Sequence, residues 1–334
     1  MLRLFWTPAA WLLSGCAAVS AAPQEQMQTV ASTQQGAVIT ILGTAGGPPP
    51  HPGRAQPSTL LTVDGKRYLI DAGEGTGYQL QQAGTPPGKL NVIFITHLHW
   101  DHVLGLDYLM AVDWMRGRTA QLPIYGPPGL DDLIGREFPK VKVGEAIFRA
   151  QASNRPEIST LYPTNQVASC GPTEIFRDDV VKVTSVCNSH FAQVRSVPHS
   201  YGEDRALSYR FDTKYGSVTF TGDTGPSADL EKLAEGSDVL VSEIVDLVSI
   251  EQDLHRVDPA RDHSRLMVHM AHQHLTAEEL GKLATRARVK KLVLTHFVIG
   301  KDFNPEGFVA QLRPYFAGEI VVGQDLQRTM LLGK

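Results

Sequence analysis

Val92-Ile93-Phe94-Ile95-Thr96-His97-Leu98-His99-Trp100-Asp101-His102 is the stretch that decides the fold of this chain. It opens on an unbroken apolar, β-favouring run, the pattern of a strand buried on both faces. Metal-capable side chains follow at once: His97, His99, Asp101 and His102. On a loop leaving a sheet edge such side chains converge, whereas on a solvated helix they would splay. His97 and His99 reach one ion from the same side, while Asp101 and His102 turn toward a second. Imidazole and carboxylate without thiolate suit zinc or another borderline divalent ion.

Two ions need ligands from elsewhere, and the second half offers them in matching positions. The alternating run 181–186 leads to His190, the run 218–221 ends in Gly222-Asp223, and 292–295 ends in His296. Each is ordinary alone, since Gly-Asp marks turns and a single histidine after a strand is usually a surface group. Joined to the first run, they read as one site.

The surrounding text is that of a globular domain. Of 334 residues, 42% are hydrophobic and 20% charged, enough to bury a sizeable core. Strands are expected over 38–42, 59–63, 67–70, 92–95, 123–125, 180–186, 206–211, 217–221, 238–241 and 292–295. Asp64-Gly65 reads as a hairpin turn. Helices are expected over 75–83, 102–115, 229–234 and 278–287. Residues 140–172 read as a polar, irregular insertion. Strands dominate both halves without strict βαβ alternation, which predicts two mixed sheets face to face with helices outside.

The formal net charge of −4, with no Lys/Arg run longer than two, predicts no nucleic-acid partner. Residues 1–21 read as a signal peptide: Arg3 precedes an apolar stretch too short to span a bilayer. Leu13-Ser14-Gly15-Cys16 resembles a bacterial lipobox, and cleavage after Ala21 is the competing reading. Residues 22–36 read as a flexible tether and 37–334 as the folded domain. The protein is therefore expected to be exported or periplasmic, touching a membrane only through lipid on Cys16. A homodimer stays open. Cys170 and Cys187 then remain, as a cross-strand disulfide or as two buried thiols.

The whole of 38–332 resembles the metallo-β-lactamase superfamily, most closely its ribonuclease Z-like group and, within that, an arylsulfatase-like branch. The resemblance rests on Leu42-Gly-Thr-Ala-Gly-Gly, Tyr68-Leu-Ile-Asp71-Ala-Gly-Glu-Gly-Thr, the 96–102 run, Tyr125-Gly-Pro-Pro-Gly, Phe220-Thr-Gly-Asp-Thr, His274-Leu-Thr-Ala-Glu-Glu and Leu294-Thr-His296. It implies an αββα sandwich (an α/β, or α+β, fold) with two metals between the sheets. One zinc would be held by His97, His99 and His190, with His199 the alternative third ligand. The other would be held by Asp101, His102 and His296, and Asp223 would bridge them. Manganese or iron is compatible with the same set.

The resemblance also implies an enzyme in which water ionised between the metals attacks an ester. His274, supported by Glu243, would protonate the leaving group. The bland alternative for His274 is a surface residue beside a helix cap, because Thr276 and Glu279 form a capping-box pattern. A bridging aspartate argues against antibiotic hydrolysis, and 140–172 lacks the concentrated basic cluster of a tRNA-gripping arm. An exported hydrolase of small aryl sulfate or phosphate esters is the expected function. A lactonase or related carboxylic-ester or amide hydrolase, and a non-catalytic zinc-binding protein, are the alternatives.

Overall fold

In the computed structural model the described residues are 35–331, apart from 152–153, 194–196 and 198. The expected signal peptide, the Cys16 lipobox and the tether up to residue 34 lie outside them. β1 (Ala37–Gly43), β2 (Ser58–Val63), β3 (Lys66–Ile70), β4 (Val92–Phe94), β5 (Ile124–Gly126) and β6 (Thr164–Gln166) lie side by side in chain order. The second sheet repeats this with β7 (Thr173–Arg177), β8 (Val181–Cys187), β9 (Leu207–Thr213), β10 (Gly216–Phe220), β11 (Val239–Val245), β12 (Lys291–Val298) and β13 (Glu319–Val322). β14 (Arg328–Leu331) returns to pair antiparallel with β1.

The central core is where the sheets face each other. Ile39, Tyr68 and Phe94 of the first meet Tyr209, Phe211 and Val241 of the second. The Phe94 ring stands edge-on to Phe211 at 5.1 Å, so the layers interlock through aromatic pairs. Outer faces bury against helices, Leu106–Met115 and Leu130–Arg149 on the first sheet, Ala277–Arg286 and Gly307–Leu312 on the second. The expected αββα sandwich is the observed fold.

β3 to β6 and β10 to β13 pair in parallel, so strand ends that exit together gather loops on one edge. The Asp64-Gly65 hairpin turn forms, both residues having positive φ (47° and 84°). Cys170 and Cys187 are disulfide-bonded and tie the end of β8 to the segment before β7.

Three expectations change. Residues 140–172 are not an irregular insertion. Helix Leu130–Arg149 runs into them despite Pro139, and β6 closes the edge of the first sheet. The expected helix over 102–115 is broken into Trp100–Val103 and Leu106–Met115. The break lets Gly105 donate its N–H to the Ala72 carbonyl at 2.8 Å, and a Cβ there would lie 2.3 Å from the Gly73 oxygen. Finally, β12 continues past Thr295, so His296 lies inside a strand. Its register against β11 slips between Ser242 and Ile244, and His296 takes φ 44°. That irregularity brings Glu243 and His296 to the same point of the sheet.

Candidate metal centre

Two overlapping groups of side chains converge at the strand ends: His97, His99, His190 and Asp223, and Asp101, His102, Asp223 and His296. Within each group the candidate donor atoms all lie within 4.8 Å of one another. The loop after β4 supplies His97 and His99, the short helix Trp100–Val103 that follows supplies Asp101 and His102, and β12 supplies His296. The turns after β8 and β10 supply His190 and Asp223. His190, not His199, joins the cluster. His199 lies on the surface, 3.2 Å from Asp204 Oδ2 and stacked on Tyr201.

The imidazoles face each other nitrogen to nitrogen. His97 Nε2 is 3.0 Å from His99 Nδ1, His190 Nε2 is 3.2 Å from the same atom, and His102 Nε2 is 3.2 Å from His296 Nε2. Burial, reinforced by neighbouring imidazoles, holds His97 well below its ordinary range, and burial takes His190 down to about 3. His99 is lowered by burial as well. These three are held neutral, so with the Nδ1 protons of His97 and His190 directed outward at most one proton, on His99, serves three converging nitrogens, whereas a cation satisfies them all.

The second group is richer in charge. Burial raises the Asp101 carboxyl, but His102 and His296 outweigh it and bring the group to about 2. Asp223 is held well below the carboxylate range, the same two imidazoles overcoming its burial. Burial likewise lowers His102, yet Asp223, Asp71 and Asp101 together raise it well above the imidazole range. Asp223 Oδ1 is buried and, among the described residues, accepts no well-directed hydrogen bond, although His296 Nε2 lies 3.1 Å and His102 Nε2 3.3 Å away. An unsatisfied buried carboxylate oxygen is costly. Here it points where the imidazole nitrogens point, so the residues present fit divalent cations.

A further residue, Asp71, orients this cluster. At φ 59° on the loop after β3, its carboxylate accepts from Thr96 N (2.7 Å), Thr96 Oγ1 (2.9 Å) and His102 Nδ1 (2.9 Å). Thr96 Oγ1, its own proton committed to Asp71, accepts from His97 Nδ1 at 3.1 Å. One carboxylate thereby fixes the rotation of two imidazoles and leaves each Nε2 facing the site, an outer arrangement typical of metal-binding histidines. His190 Nδ1 donates to the Gln273 carbonyl at 2.9 Å with the same effect. Asp71 entered the sequence reading only within a segment that carries the family resemblance; its signal was a strand-end aspartate ahead of the histidine run.

His274 lies beside the cluster, its ring 5.4 Å from His190 and 6.1 Å from His296. It is buried, and Nδ1 donates to Glu243 Oε2 at 3.0 Å. Glu243 Oε1 accepts from the backbone N–H groups of Leu275 and Thr224. Burial lowers His274, but the charge and hydrogen bond of Glu243 prevail and raise it to about 8. The Thr276–Glu279 capping box forms too, one residue beyond Leu275. It starts the next helix and does not bring His274 to the surface.

Comparison with known proteins agrees with the fold. The family model described as a beta-lactamase superfamily domain matches residues 66–297. A protein named Ribonuclease Z from Mycobacterium avium (strain 104) is 30% identical over 302 residues, covering 88% of this chain and 98% of that protein. The crystal structure of the metallo-β-lactamase-fold protein YhfI from Bacillus subtilis superposes with a TM-score of 0.62 at 19% identity, covering 89% of this chain and all of that one. Human tRNase Z, short form, gives 0.61 at 22% identity, over 88% and 99% of the two chains.

The relatives correct one expectation from composition. Nucleic acid was excluded because the net charge is slightly negative, yet a relative spanning nearly the whole chain is named for cleaving RNA. Net charge averages over the entire surface, whereas a phosphodiester is met by a few groups in one cleft. The arylsulfatase-like branch finds no counterpart among these relatives. With two mixed sheets between helices, ligand-type residues at the shared edge and these matches, the chain belongs to the metallo-β-lactamase superfamily, among relatives of the ribonuclease Z-like group.

Proposed function

We propose that the chain is a dinuclear metal hydrolase of phosphodiester bonds. Two zinc ions would be held by His97, His99 and His190 on one side and by Asp101, His102 and His296 on the other, with Asp223 between them. Manganese or iron suits the same donor set. The observation that carries this reading is Asp223, shared by both groups with a buried, unsatisfied oxygen, beside a second buried pair, His274–Glu243. Bound there, the cations supply Lewis acidity toward a phosphoryl oxygen and a nucleophile drawn from water at neutral pH.

The rest is done by this chain's own groups. Glu243 holds the His274 Nδ1–H, leaving Nε2 to give its proton to the departing oxygen. His99 is the exposed member of the cluster, so substrate approaches from its side. The relatives' name favours phosphodiesters, RNA included, over the aryl sulfates and lactones that offer related electrophiles. A purely zinc-binding role leaves the His274–Glu243 pair without a use.

The test is turnover by the zinc-loaded protein of bis(p-nitrophenyl) phosphate, an RNA with a 3′ extension, p-nitrophenyl sulfate and a chromogenic lactone. Cleavage of a diester is expected. Turnover of the sulfate or lactone alone, or of nothing by protein carrying two ions, would overturn the reading.

Two outcomes follow from the local geometry. Asp71→Asn is expected to weaken zinc about 10- to 100-fold, the usual loss when an outer partner of a ligating histidine is removed. Competition against a chelating dye measures it, and unchanged affinity would remove Asp71 from this role. For pH, the acid form of His274 exists below its pKa and is lost above it. Nearby cations pull that pKa downward, so the rate on poor leaving groups should fall along an alkaline limb at or below about 8. The limb should be missing in His274→Ala; its persistence there would assign the proton to another group.

A further inference from the structure

A cleft of about 770 Å³ runs between helices Leu247–Val257 and Ser264–Gln273, next to the metal centre but outside it. Part of its lining adjoins the metal centre. Gln273, on the lining, offers the carbonyl that holds His190 and directly precedes His274. Gln193, three positions beyond His190, is part of the same lining.

The lining combines apolar and cationic character. Leu254, Leu266 and Val268 contribute hydrocarbon, and Leu266 and Val268 remain 43% and 57% exposed. Arg261 and Arg265 lie among them, and neither guanidinium has an ion-pair or side-chain hydrogen-bond partner among the described residues. The lining carboxylate, Asp262, accepts the Ser264 N–H at 2.9 Å and, among the described residues, pairs with neither guanidinium, so one carboxylate faces two arginines and the lining keeps a positive excess. Uncovered hydrocarbon beside unpaired guanidinium is the chemistry of a pocket for an apolar group that bears an anion.

We infer that this cleft seats the leaving group of the substrate, and that Arg261 and Arg265 select leaving groups with an apolar body and a second anion remote from the scissile bond. The inference rests on the hydrolase reading. In that reading His274 donates to the departing oxygen, and Gln273, the residue next to His274, lines the cleft. As a water-derived oxygen bonds to phosphorus, the P–O bond to the leaving group breaks and its electron pair takes that proton, so the leaving group departs as a neutral alcohol at the scissile end, its distant anion still held by the arginines.

The experiment compares two diesters, methyl 2-naphthyl phosphate and its 6-sulfonated counterpart, on zinc-loaded wild type and on Arg261→Gln/Arg265→Gln. The double variant should lose about 10-fold or more in kcat/KM on the sulfonated diester, the scale of a lost charge-assisted contact, and about twofold at most on the other. Calorimetry with 2-naphthalenesulfonate, a poor metal ligand, gives a readout independent of turnover. Wild type should bind it at least about 10-fold more tightly than the double variant. Equal losses on both diesters, or binding that ignores the arginines, would overturn the cleft assignment. If neither diester is cleaved while arginine-dependent binding persists, the hydrolase reading falls and the cleft's preference for amphipathic anions stands.

Discussion

Asp223→Ala is expected to hold at most one divalent ion per chain and to hydrolyse bis(p-nitrophenyl) phosphate at least about 10³-fold more slowly, a loss of ~4 kcal/mol of transition-state stabilisation. Both candidate ligand groups include this one carboxylate, and among the described residues no other side chain belongs to both. Its loss also removes a charge from a pocket where His296 Nε2 and His102 Nε2 sit 3.1 and 3.3 Å from Oδ1. The fold should survive, because Asp223 lies on a loop past β10 and takes no part in the packing between the sheets. Metal analysis and kinetics on the same preparation check the result. Two ions and an undiminished rate would show that Asp223 is not shared.

His274→Ala is expected to behave in the opposite way, keeping both ions while losing rate in proportion to the leaving group's need for a proton. The loss should be about 10²- to 10⁴-fold on an alkyl diester, the range for a positioned general acid, and small on a nitrophenyl diester whose oxygen departs unaided. The separation is physical: His274 Nδ1 is tied to Glu243, and His274 belongs to neither group of converging donors. Loss of an ion in this variant would make His274 part of the metal centre. Equal losses on both substrates would leave it a structural residue. Glu243→Gln keeps a hydrogen-bond partner but removes the charge that raises His274, so its alkaline limb should move to lower pH.

The fold and the convergence at the sheet edge were legible because the relevant signals are local. An apolar run that stops at His97, and another that stops at Gly222-Asp223, declare strand ends whatever the rest of the chain does. The sandwich followed from many short strands with interspersed helices, and the Asp64-Gly65 turn from its residue types alone. The choice of His190 over His199 was less local, since both follow strand-like text, and packing against Gln273 distinguishes them.

What stayed illegible depends on partners distant in sequence. The irregularity that turns His296 inward exists only in the register of β12 against β11. Asp71 acquires its role by meeting Thr96 and His102 across the sheet edge. Helix Leu130–Arg149 was obscured by Pro139 and a sparse apolar face, and β6 by being a short, polar edge strand with no alternation to read. The exclusion of nucleic acid failed because it drew on charge summed over the molecule, which says nothing about one cleft.

The decisive measurement is a count of bound metal ions. Chain purified in zinc, freed of loosely bound metal by gel filtration and analysed by mass spectrometry should carry two ions per polypeptide. One ion or none in well-folded protein would contradict a site built around a shared Asp223.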